Sequence, residues 1–203
     1  MAQAQFKRIV GFGASTIYGY GDSAGGFLER IKRWHQSQGD RNFVYNLGIF
    51  GDTLTGMAER FSKEVPQRKP NLIIVYAGYN EIRRVSSPDQ EMLVALDQQM
   101  AKLRQILKSA KAICETLVIN GFPFDQTKTT PFVNTDSYYL LADAELYCQQ
   151  VIETAKVENC LSIDLFSAWS KLDYQRLLYQ DGLHANDLGH QNMFELAQAK
   201  IVQ

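Results

Sequence analysis

Five short apolar runs, separated by longer amphipathic stretches, limit what this chain can fold into. The runs are FKRIVGF (6–12), NFVYNLGI (42–49), LIIVYAG (72–78), ETLVING (115–121) and CLSIDL (160–165). Each is rich in Val, Ile, Leu or an aromatic residue and mostly bounded by Gly, Asn or Asp, the pattern of a buried strand. Between them, FLERIKRWH (27–35) alternates apolar and charged residues at helical spacing. Over 88–113, Met92, Leu96, Met100, Leu103, Ile106, Leu107 and Ala110 form one stripe, which predicts a helix. Ser87 as cap, Pro88 in the first turn and Gln90 three residues after Ser87 mark its expected start. Segments 136–157 and 187–202 have the same period. The order β-α-β-α-β-α-β-α-β-α predicts an α/β fold with a parallel sheet covered by helices on both faces. No composition shift, repeat or Gly/Ser linker divides the chain, so residues 1–203 read as one domain.

Composition excludes several classes of function. Hydrophobic residues make up 45% of the 203 positions and charged residues 21%, which is not the balance of a disordered chain. Lys+Arg is 21 against 22 for Asp+Glu, a net charge of −1, so there is no basic excess to neutralise a phosphate backbone and no nucleic-acid partner is expected. Three cysteines, Cys114, Cys148 and Cys160, form no CxxC pair and read as small buried hydrophobes in a reducing compartment. Neither a disulfide framework nor a metal site is expected. The longest apolar run, LIIVYAGY (72–79), is far short of the roughly 20 residues of a membrane span. IVGFGA (9–14) is too short for a signal peptide's apolar region, so the expected location is cytoplasmic.

Ligands of such sheets bind beyond the carboxyl ends of the strands. After the first run comes GFGASTIYG (11–19), with Ser15 where strand turns into helix. After the second comes NLGIFGDTLTG (46–56), with an Asp-Thr helix start. After the third, AGYNE (77–81) brings Asn80 to the same edge. YQDGLHANDLG (179–189) precedes the last helix and sets Asp181 three residues before His184. A hydroxyl, an imidazole, a carboxylate, an amide and glycine N–H groups thus converge, and acyl transfer needs that set. A serine hydroxyl attacks only when a base takes its proton. The base needs a partner that holds its tautomer, and the developing oxyanion needs preorganised donors.

The pattern resembles the GDSL or SGNH hydrolases, named for Ser, Gly, Asn and His in four sequence blocks. Ser15 with Gly19 matches the first block, Gly51 in GIFGDT the second, Asn80 in GYNE the third, and Asp181 with His184 in DGLH the last. The resemblance implies a flavodoxin-like three-layer α/β/α fold with a five-stranded parallel sheet, and hydrolysis of acyl esters or thioesters without a cofactor or metal. It implies Ser15 as nucleophile, His184 as base and Asp181 as the group orienting it. The implied oxyanion hole is the N–H groups of Ser15 and Gly51 with the Asn80 amide. The expected partner is a small-molecule ester. An acyl thioesterase or lysophospholipase and a carbohydrate O-deacetylase share these parts. Ala14 stands where the family usually has Asp, and Glu81 follows Asn80 where Asp is frequent; no role is assigned to Glu81.

Each residue also has a plainer reading. Ser15 can cap a helix and Asn80 can serve a turn. The literal Gly21-Asp22-Ser23 string follows no strand and has Phe27, not glycine, four residues after Ser23, so Ser15 is preferred. His35 ends a helix, where a cation is favoured. His190 reads as solvated or packed, and Asp187 as a helix-start residue. The long connection 121–141 carries Phe122, Phe124, Phe132, Tyr138 and Tyr139, which either line a pocket or pack on the sheet edge. A flavodoxin-like module without catalysis, cradling phosphate or flavin on STIYGYGDSAGG (15–26), is the competing class. It leaves Asn80 and the Asp181/His184 pair unexplained.

Overall fold

The computed structural model describes residues 6–202; residues 1–5 and 203 of the expected domain lie outside the described residues. Strands β1 (Arg8–Gly13), β2 (Phe43–Gly48), β3 (Leu72–Tyr76), β5 (Glu115–Ile119) and β7 (Leu161–Ile163) form one parallel sheet in the order β2-β1-β3-β5-β7. They coincide with the five apolar runs. The order reverses between β1 and β3, so the loops after these two strands diverge there and leave a crevice.

Alternate strand residues supply the two cores. Val10, Phe12, Ile73, Val75 and Val118 face helices α3 (Leu54–Glu64), α4 (Leu96–Lys111) and α6 (Leu141–Val157). Ile9, Leu72, Ile74, Leu117 and Ile119 face α2 (Gly26–Ser37), α7 (Leu165–Trp169) and α8 (Asp187–Ile201). Both faces are buried, which is why the runs read as continuous apolar rather than alternating segments. The fold is therefore the three-layer α/β/α sandwich expected.

Two boundaries differ from the periodicity. Helix α4 begins at Leu96, not near Pro88. The N–H of Leu93 bonds the Arg83 carbonyl at 2.8 Å and that of Val94 the Glu81 carbonyl at 3.3 Å, while Arg84 takes the carbonyls of Pro88 and Gln90. Backbone groups that a longer helix needs are thus bonded to the 81–84 segment. Helix α6 begins at Leu141, because Ser137–Tyr138 (β6) pairs antiparallel with Arg84–Val85 (β4). The 121–141 connection also holds a single helical turn, α5 (Gln126–Thr129).

Candidate active site

Ser15 stands where β1 ends. Gly13 permits the approach there: a Cβ at this position would meet the Ile17 side chain at 2.7 Å and the Tyr76 carbonyl at 3.0 Å. Ala14 then turns the chain, and Ser15 opens the one-turn helix α1 (Ser15–Tyr18). As the first residue of that turn, its N–H has no intrahelical acceptor. Its side chain is nearly buried and its Oγ lies 3.1 Å from His184 Nε2.

His184 is held by a short, tightly bonded loop. Tyr179 N–H donates to the His184 carbonyl at 2.7 Å, and Asn186 Nδ2 donates to the carbonyls of Arg176 and Leu178. Asp181 Oδ2 is 2.7 Å from His184 Nδ1, while Oδ1 accepts the backbone N–H groups of Leu183 and His184 at 2.9 and 3.0 Å. Burial pushes the Asp181 carboxyl up, but the hydrogen bonds from the His184 ring and the two N–H groups outweigh it and hold the group below its ordinary value. An ionised carboxylate only accepts, so Nδ1 carries the proton and the Nε2 lone pair faces Ser15.

Asn80, after β3, lines the same cavity as Ser15 and His184. Its Nδ2 donates to the Asp52 carbonyl at 2.7 Å, which uses one of two amide hydrogens and fixes the plane of the other. Gly51 does not line this cavity among the described residues. It adopts φ +77° between Phe50, which packs over the His184 ring, and Asp52, which receives Asn80.

Two residues that the sequence reading left without a role hold these loops. Buried Glu81 accepts the N–H groups of Leu54 and Thr55 at 2.9 and 3.3 Å and the Thr55 hydroxyl at 3.0 Å. A carboxylate at the start of α3 also suits the helix dipole. Arg60 donates to Asp52 Oδ2 at 2.7 Å, to the Gly13 carbonyl at 3.1 Å and to the Leu47 carbonyl at 2.9 Å. One guanidinium thus joins the ends of β1 and β2 to the 51–53 loop. Glu81 sat beside a recognisable motif residue and was findable; Arg60 carried no local signal.

The remaining candidates have other partners. Ser23 bonds the Asp187 carboxylate through both its N–H and its hydroxyl, so the literal GDS serine anchors the start of α8 rather than meeting a histidine. His35 is fully buried, and burial pushes its imidazole below the ordinary range against the pull of the Lys7 carbonyl. The helix end, where a cation is favoured, is thus occupied by an imidazole that burial disfavours in its charged form. His190 is packed rather than solvated: Nδ1 accepts the Phe27 N–H at 3.1 Å and Nε2 donates to the Tyr20 carbonyl at 3.0 Å. Of the loop aromatics, Phe122 lines the Ser15 cavity and Phe132 an adjoining cleft, whereas Phe124 and Tyr139 are core.

The two spaces are unequal. The inner cavity beside Ser15 measures about 30 Å³, and the outer cleft about 680 Å³. His184 borders both.

A family model described as GDSL-like lipase/acylhydrolase matches residues 12–191. An acetylxylan esterase of Geobacillus stearothermophilus is 26% identical over 153 residues, which are 72% of this chain and 66% of that protein, so the chain spans just under two thirds of this relative. A solved lipase/acylhydrolase from Enterococcus faecalis has the same fold, with a TM-score of 0.78 at 23% identity, covering 97% of this chain and 95% of that one. The crystal structure of an acetylxylan esterase from Geobacillus stearothermophilus has a TM-score of 0.75 at 18% identity, covering 99% and 96%. Among the described residues no helix is long and apolar enough to cross a membrane. With a family model matching residues 12–191, most of its length, the chain belongs to the GDSL-like lipase/acylhydrolase family.

Proposed function

We propose that this chain is a serine esterase acting on short acyl esters, acetates above all, through an acyl-enzyme on Ser15. The carrying observation is the line of contacts from Ser15 Oγ to His184 Nε2 at 3.1 Å and from His184 Nδ1 to Asp181 at 2.7 Å, beside a cavity shared with Asn80. His184 takes the Ser15 proton as Oγ attacks the acyl carbon, and the carbonyl electron pair moves onto oxygen. The N–H groups of Ser15 and Gly51 and the free Asn80 amide hydrogen receive that charge. Collapse re-forms the carbonyl and expels the alcohol oxygen, which takes the proton from His184. Water then gives a proton to His184 and attacks the acyl carbon; the acid leaves and the proton returns to Ser15.

The inner cavity, at about 30 Å³ against about 680 Å³ for the outer cleft, is the tighter of the two spaces and suits a methyl group better than an alkyl chain. That supports acetate over a long acyl group, and the acetylxylan esterase relative supports the same choice. Cys114, Cys148 and Cys160 are free thiols, which fits a reducing cytoplasmic setting. The test is a series of p-nitrophenyl esters of rising acyl length with wild type and Ser15→Ala. Acetate should be turned over best, and Ser15→Ala should lose at least ~10⁴-fold in kcat. Near-normal turnover by Ser15→Ala, or a preference for long acyl chains, contradicts the proposal.

A further inference from the structure

We infer that the outer cleft is the alcohol-side subsite of this reaction and that it takes a saccharide ring. The inference rests on the esterase function proposed above and adds the leaving group to it. The base that removes the Ser15 proton must return it to the departing alkoxide, so the leaving oxygen sits at His184 Nε2. Whatever that oxygen carries extends into open space bordered by His184. The inner cavity lies on the Ser15 and Asn80 side and has no room for it. The outer cleft begins at the same imidazole and, at about 680 Å³, is of the size of small-molecule sites.

The walls select the occupant. Phe50 packs over the His184 ring at 6.0 Å between centroids and keeps 58% of its surface exposed. Tyr20 meets both Phe50 and Tyr179 edge-on, at 5.1 and 5.7 Å, so three aromatic rings form one continuous wall. Polar groups stand beside this wall. Gln180 Nε2 donates to the Tyr179 hydroxyl at 3.1 Å, and Lys128 Nζ lies 3.4 Å from the Gln180 carbonyl. A sugar ring presents C–H bonds on its faces, which meet the negative face of an aromatic ring, and hydroxyls around its rim, which meet amide and ammonium groups. An alkyl alcohol satisfies the aromatic wall but makes no use of the polar groups of Gln180 and Lys128 that stand beside it.

The experiment compares an O-acetylated methyl pyranoside, ethyl acetate and hexyl acetate as substrates for wild type, Phe50→Ala and Tyr179→Ala. Wild type should prefer the sugar acetate over both alkyl acetates by at least ~10-fold in kcat/KM, and each variant should lower that preference by at least ~5-fold, mainly through KM. As a readout without turnover, the acetylated pyranoside should bind Ser15→Ala and bind the Ser15→Ala/Phe50→Ala double variant more weakly. An unchanged preference in both variants, or hexyl acetate as the best substrate, overturns the subsite while leaving the esterase function standing. Failure of wild type on all three acetates removes the esterase function, and the subsite with it.

Discussion

The Asn80 side-chain amide and the Asp52 carbonyl, 2.7 Å apart, join the loop after β3 to the loop after β2. The bond ties one proposed oxyanion donor to the residue that follows another, Gly51. It links the loops that follow two strands which are not neighbours, since β1 lies between β2 and β3 in the sheet.

Asn80→Ala removes the free amide hydrogen as well as this tie. Steady-state kinetics should show kcat down by roughly 10²–10³-fold, the scale of one oxyanion donor, with KM changed much less. A loss confined to KM contradicts the donor role.

Arg60 and Asp52 form a mostly buried pair, with side chains 12% and 10% exposed. Arg60→Ala leaves the Asp52 carboxylate and the carbonyls of Gly13 and Leu47 without this partner. Removing one member of a buried pair costs on the order of 3–5 kcal/mol, and denaturant unfolding should read a loss of that order. Arg60→Lys keeps the charge but not the fork, so it should recover only part of the stability. Full recovery would show that the charge alone matters.

Glu81→Ala should destabilise the protein by about 1–3 kcal/mol, since it leaves buried N–H groups at the start of α3 without their acceptor. Because α3 directly follows the 51–53 loop, kcat should fall as well. Unchanged thermal unfolding in Glu81→Ala contradicts its anchoring role.

Asp181→Asn should preserve the fold and lower kcat by about 10⁴-fold, as expected when the imidazole loses the acceptor that fixes its tautomer. The Asp181 carboxyl lies below its ordinary range, so it is still ionised where carboxylates usually begin to protonate. Asp181 should therefore not be the group whose protonation first lowers kcat/KM as pH falls into the ordinary carboxylate range. Near-normal kcat in Asp181→Asn contradicts the orienting role.

His190 makes stability depend on pH. Burial holds its imidazole below the ordinary value, and its Nδ1 accepts the Phe27 N–H, so a protonated ring would set two donors against each other. As pH falls below about 6.5 the unfolded chain takes up a proton before the folded one does, so stability declines from there until the folded imidazole is also protonated. Urea unfolding should give a lower stability at pH 5 than at pH 7.5. His190→Gln should show a shallower decline, with some remaining because His35 is shifted in the same direction. An identical decline in His190→Gln assigns the effect elsewhere.

Local signals carried the elements that set the architecture. Strand runs have the length and residue types of buried strands, and the sheet brings their ends together, so Ser15, Asn80 and the Asp181–His184 pair were legible as neighbours. Asp181 and His184 were legible even as a pair, since a spacing of three residues lets the carboxylate reach the ring. The true start of α4 was not legible, because the backbone groups of 88–94 are claimed by residues 81–84 instead of by one another. Nor were the states of His35 and His190, which depend on burial by distant segments and not on their own helices.

By itself the sequence determined the strands, the helical stripes and which chemical groups arrive at the sheet edge, since these depend on spacing within a few residues. Only the tertiary structure decided that Arg60 and Glu81 brace the loops of Asn80 and Gly51, and that a small cavity and an aromatic cleft meet at His184. Those are contacts between segments far apart in the chain, made where side chains lose water and must find partners across the fold.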